Sequence, residues 1–186
     1  MVISLTINDR IFMNDLVGIE ELTALISLDI RVPLVSLVGI EYAQNLETLY
    51  LNLLPSNLEM ISGLGIKTLR IDECLEEDED SLAQMKLDLP CLETLCIQEN
   101  MIGMLQGLSA PLIKSVKICF PMIGYYEADE ACENIGQVIV DEEPALASFL
   151  SRYPEKIITS DMLLMTGYNH EMVDPVLEFS FSPKNE

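Results

Sequence analysis

The chain runs to 186 residues, 49% of them apolar, and carries 31 acidic against 10 basic side chains for a formal net charge of −21. That length encloses one domain with a sizeable core, and so negative a surface repels nucleic-acid phosphates and anionic membranes while attracting basic surfaces. No segment approaches the roughly 20 apolar residues that cross a bilayer, and five cysteines without metal-ligand spacing fit free thiols in a reducing cytoplasm better than a disulfide framework.

The opening MVISLTINDR has neither the basic start nor the long apolar run of a signal peptide, so a cytoplasmic protein is expected. It holds instead the first copy of a pattern, VISLTI at 2–7, with apolar residues at places 1, 4 and 6. The same spacing returns as LISLDI (25–30), LETLYL (46–51), IKTLRI (66–71), LETLCI (92–97), IKSVKI (113–118) and IGQVIV (135–140). PEKIIT (154–159) fits loosely and VLEFSF (176–181) fits well. Successive copies start 23, 21, 20, 26, 21, 22, 19 and 22 residues apart, and nine near-matches at so regular an interval mark a repeat.

Within each copy, apolar places 4 and 6 alternate with places 3, 5 and 7, most of them polar, the period of a strand buried on one face. The roughly 15 residues between copies suffice for a return crossing, and stacking such units buries a core that no unit encloses alone. The connectors differ. LPSNLEMISGLG (54–65) is short and ends in glycine, CLEEDEDSLAQMKLDLP (74–90) is an insertion with a helical turn expected over 81–86, and PALASFLSRYP (144–154) reads as a helix. Pro144 suits that helix's first turn and Pro154 stops it, leaving Leu146, Phe149 and Leu150 to pack inward.

LETLCIQEN (92–100) carries the spacing L-x-x-L-x-L-x-x-N, with Asn100 at the ninth place and Ile102, Leu105 and Leu108 at the apolar places that follow. On these residues the chain resembles the leucine-rich-repeat family of short bacterial-type repeats. The resemblance implies an α/β solenoid: a right-handed superhelix with a parallel concave β-sheet and short helices or irregular turns on the convex side. It implies one domain over 1–186, with capping strands at 2–7 and 176–181. Elsewhere the ninth place is Pro33, Leu54, Cys74, Pro121 or Glu143, so the family's asparagine ladder is largely missing.

In such a sheet, places 3, 5 and 7 face outward. Place 3 reads Ser4, Ser27, Thr48, Thr68, Thr94, Ser115, then Gln137, Lys156 and Glu178, a hydroxyl ladder whose plain reading is cross-strand pairing. From places 5 and 7, the candidate partner-binding set is Tyr50, Asn52, Arg70, Asp72, Gln98 and Lys117, because Tyr and Arg are frequent hot spots and mixed polar groups orient a partner. A second candidate is an acidic rim of Glu76, Glu77, Asp78, Glu79, Asp80, Glu127, Asp129, Glu130, Asp141, Glu142 and Glu143. Its summed field would steer a basic partner; its plain reading is a solvated charge run.

Catalytic residues, metal and cofactor are each expected to be none. The acids lack the glycine-bearing calcium-loop pattern. Cys96 and Cys119 fall on adjacent strands in different columns with no histidine beside them, and His170 is the sole histidine. GLG at 63–65 lacks the Lys-Ser/Thr of a phosphate loop. The expectation is a non-catalytic protein-interaction module, an immunity or inhibitor protein masking a basic partner such as a toxin or nuclease. The alternative is a general scaffold or adaptor using the concave face. The outer edges at Val2–Ile7 and Leu177–Phe181 are the places where copies of the chain would pair if poorly capped.

Overall fold

The computed structural model describes residues 2–8, 13–52, 57–73, 79–120, 140, 143–166 and 173–184, with the backbone alone at 79–81, 162–166 and 173–175. Where place 4 and place 6 are apolar, the chain runs extended: β1 Ser4–Ile7, β2 Ser27–Ile30, β3 Thr48–Leu51, β4 Thr68–Ile71, β6 Thr94–Gln98 and β8 Ser115–Cys119. Two short strands, β5 Leu87–Asp88 and β7 Leu108–Ser109, form a separate parallel pair, and β9 Lys156–Thr166 and β10 Val173–Pro183 close the chain. The main sheet has eight strands in the order β1-β2-β3-β4-β6-β8-β10-β9 and is mostly parallel.

Between strands the backbone makes 3-10 turns at Ile19–Glu21, Ile40–Tyr42, Leu58–Ile61 and Glu99–Gln106, and an α-helix, α1, at Glu79–Gln84. The first three turns pack one on the next, and α1 packs on the fourth. Each turn supplies the apolar residues that cover the sheet: Ile19, Ile40, Leu58, Ile61, Met101, Ile102, Met104 and Leu105 are all buried. Against them lie Leu28, Leu49, Leu69, Leu95 and Val116, each with no accessible surface and each in register with the next. One face of the parallel strands is therefore sealed, and the alternation of the sequence leaves the other face to solvent.

Neighbouring units are also tied along their connectors. Leu16 N–H donates to the Val38 carbonyl (2.9 Å), Asn45 Nδ2 to the Thr23 carbonyl (2.8 Å), and Leu37 N–H to Asn57 Oδ1 (2.8 Å). Close approach makes two glycines obligatory. A Cβ at Gly39, whose φ is +103°, would stand 2.6 Å from the Leu16 carbonyl oxygen, and one at Gly107 would stand 1.7 Å from that of Met85.

Two expectations are corrected. The segments 154–159 and 176–181 do not extend the parallel set: β10 pairs antiparallel with both β8 and β9, and β9 and β10 are 11 residues each. Only 167–172 joins them, too short for the crossover that parallel strands require. Leu177–Phe181 is consequently not an edge; β10 lies between two strands, Leu177, Phe179 and Phe181 are buried, and the outer strands are β1 and β9. Asn100 is exposed inside the 3-10 turn that begins at Glu99, because β6 ends at Gln98 and the chain turns before the ninth place. Of the copy at 135–140, only Val140 is among the described residues.

The C-terminal segment covers the last parallel unit. The helix α2, Pro144–Leu150, has proline in its first turn and buries Leu146 and Phe149. Phe149, Tyr153 and Phe181 meet edge to face at centroid distances of 5.2, 5.3 and 6.3 Å. Arg152 donates to the carbonyls of Leu105, Gln106 and Leu108, the Tyr153 hydroxyl to that of Ala110 (2.9 Å), and Lys156 Nζ to that of Ile113 (2.6 Å).

Candidate binding face

The strand register builds two rows on the solvent side. The first sets Ser4, Ser27, Thr48, Thr68, Thr94 and Ser115 side by side, and continues through Ser180 and Thr159. The second sets Thr6, Asp29, Tyr50, Arg70, Cys96 and Lys117 side by side, followed by Glu178 and Asp161. Glu178 thus lies opposite Lys117 rather than in the hydroxyl row, because the antiparallel strand enters from the other end. Only the short connection at 167–172 signalled that reversal.

On this face the cations are held by carboxylates. Arg31 bonds Asp29 at 2.9 Å, Arg70 Nε bonds Asp72, and Lys117 Nζ stands 3.6 Å from Glu178, which also accepts from the Ser115 hydroxyl. Burial opposes the Arg70 charge, but the Asp72 carboxylate outweighs it and holds the guanidinium more firmly protonated than usual. Tyr50 stands out of the face, while Asn52, Gln98 and Lys117 are half-buried. A further line of exposed pairs, Lys67 with Glu47 (2.8 Å) and Lys114 with Glu93 (2.7 Å), flanks the strand starts. The Glu47 bond raises the Lys67 pKa.

Each of the six candidate residues Tyr50, Asn52, Arg70, Asp72, Gln98 and Lys117 therefore lies in or directly beyond a parallel strand, and Tyr50, Arg70 and Lys117 share one row. Sequence reasoning left Glu178 and the cysteine pair out of the set. Cys96 and Cys119 lie diagonally across β6 and β8 with sulfurs 3.4 Å apart.

The acidic rim is only partly in view. Glu76, Glu77, Asp78, Glu127, Asp129, Glu130, Asp141 and Glu142 lie outside the described residues, and Glu79 and Asp80 open α1 as backbone. Glu143 precedes α2, its carbonyl accepting from Ala147 N–H (3.0 Å). It helps line a cavity of about 680 Å³ with Glu99, Asn100, Gln106 and Ser148.

Among the described residues, no charged side chain is buried, no cluster of three or more His, Cys, Asp or Glu is arranged to hold a metal ion, and no helix is long and apolar enough to cross a membrane. Comparison with known proteins finds no matching family model, no matching curated protein and no matching solved structure.

Proposed function

We propose that this chain is a cytoplasmic, non-catalytic protein-binding module, a single leucine-rich-repeat-type solenoid over 1–186 that grips a protein with a basic surface through its strand face. An immunity or inhibitor protein that masks a toxin or nuclease is the form this takes. One observation carries the reading: the parallel strands hold Asp29, Tyr50, Arg70, Cys96 and Lys117 in a fixed row on the solvent side, over a face sealed by leucine and isoleucine. Rigid backbone under a tyrosine and an arginine lowers the ordering cost of binding, and the formal charge of −21 favours a basic partner.

A second reading, a scaffold or adaptor indifferent to charge, draws on the pairing of the face's own ions. Arg31, Arg70 and Lys117 each have a carboxylate beside them, so the face itself is close to neutral. Capture of partners by the immobilised chain separates the two. Under the masking reading, the Tyr50→Ala, Arg70→Ala double variant loses the partner, and affinity falls steeply as salt rises from about 50 to about 500 mM. Loss with the double variant but indifference to salt leaves the adaptor; retention by the double variant removes the strand face from both.

A further inference from the structure

The strand face just described holds two thiols whose contact owes nothing to a binding role. Cys96 on β6 opposes Lys117, and Cys119 on β8 opposes Gln98, so the two cysteines sit on the same side of adjacent strands, one step out of line. Their sulfurs are 3.4 Å apart, against about 2.05 Å for a formed disulfide. The sulfurs need approach by little more than an ångström to reach bonding distance. Cys96 is nearly enclosed, at 5% exposure, and Cys119 is half-exposed, so the pair is open on one side.

We propose that Cys96 and Cys119 form a peroxide-oxidisable dithiol that closes to a disulfide across β6 and β8.

The environment assigns the roles. The Cys119 hydrogen bond pulls the Cys96 thiol below its ordinary value against the opposing effect of burial, and Arg70 and Lys117 add to the pull. Cys119 is pushed up by the same hydrogen bond and by burial. Cys96 is thus the more readily ionised of the two thiols, and the thiolate is the form that attacks an oxidant. Because Cys96 is so enclosed, the oxidant is a small one, hydrogen peroxide. The Cys96 thiolate attacks one peroxide oxygen; the S–O bond forms, the O–O bond breaks, and the hydroxide released takes up a proton to become water. Cys96 is then a sulfenic acid. Cys119 sulfur attacks Cys96 sulfur; the S–S bond forms, the S–O bond breaks, and hydroxide leaves with the Cys119 proton as a second water. Two thiols and one peroxide give one disulfide and two waters.

The bond would lock the centre of the face between Arg70 and Lys117. That consequence rests on the binding role proposed above, whereas formation of the disulfide does not. The test is to treat the folded, reduced chain with hydrogen peroxide and follow intact mass and non-reducing peptide maps. The expected result is loss of two hydrogens, a cross-link joining the Cys96 and Cys119 peptides, and reversal by dithiothreitol. Cys119→Ser should stop at a Cys96 sulfenic acid, trapped by dimedone, while Cys96→Ser should leave Cys119 several-fold less reactive than Cys96 in wild type. No two-hydrogen loss, a cross-link to Cys74, Cys91 or Cys132 instead, or faster oxidation of Cys119 than of Cys96 would overturn the assignment. The wild-type map decides the cross-link even where a serine variant folds poorly.

Discussion

The two ends of the sheet are finished differently. At the N-terminal end β1 has a single neighbour, its residues alternate between exposed and half-buried, and Val2 and Ile3 are 41% and 47% exposed. At the other end the last parallel strand, β8, pairs with β10, α2 packs on the fourth 3-10 turn and three rings pack on one another, with Arg152, Tyr153 and Lys156 bonding backbone carbonyls from 105 to 113. A stack of short units satisfies itself in the middle, because each unit finds its partner in the next. Its ends need something of another shape, and among the described residues the C-terminal end has it. Local opening should therefore start at β1 and proceed inward, with the aromatic end holding longest in hydrogen exchange.

The sharpest way to break that contrast is Phe149→Ala. The ring is fully buried against Tyr153 and Phe181, and truncation at such a site costs about 4 kcal/mol. For a chain of this size, that is a fall of about 8–16 °C in melting temperature. Exchange should then become fast from both ends. If the amides of β8 and β10 stay as protected as in wild type, the aromatic cluster is not what holds that end.

Gly107→Ala strikes the parallel body instead. The added methyl meets the Met85 carbonyl oxygen, which is backbone and cannot swing aside. A cost of about 3 kcal/mol follows from overpacking of this kind, read as a lower urea midpoint. Protection should be lost first in β5 and β7, whose pairing includes the bond from Leu87 N–H to the Gly107 carbonyl (3.1 Å). A uniform loss of protection instead would mean that the stack and its C-terminal cover unfold as one unit.

The contrast also marks where the sequence was readable. One-sided burial forces period two within a strand, and covering each strand with the next forces a near-constant spacing, so β1 to β8 of the main sheet could be placed from Leu28, Leu49, Leu69, Leu95 and Val116. With those strands came the row of Tyr50, Arg70 and Lys117. Strand direction was not encoded there: VLEFSF satisfies the spacing equally well running up or down, and what reverses it is the short connection at 167–172. Glu178 was accordingly assigned to the wrong row. The Cys96–Cys119 contact was half-legible; the columns made them diagonal neighbours, but meeting at 3.4 Å depends on side-chain rotamers that no spacing records.

The smallest effect sharpens the contrast most finely. Tyr153→Phe keeps the ring among Phe149 and Phe181 and removes only the hydroxyl that donates to the Ala110 carbonyl, a loss of about 1 kcal/mol at neutral pH. The pH dependence carries a sign. Burial raises the Tyr153 pKa above its ordinary value of 10.0, with Arg152 pulling weakly the other way. The folded chain therefore keeps the phenol proton longer than the unfolded chain. Below about pH 10 both states hold it and the contribution is complete; as pH climbs past that value the unfolded chain ionises first and the contribution drains away. Urea midpoints of wild type and Tyr153→Phe should converge as pH rises past about 10, the titration of lysines and other tyrosines being common to both. Curves that stay parallel through that range would show the hydroxyl in water, and the C-terminal cover would then rest on ring packing and the Arg152 and Lys156 bonds alone.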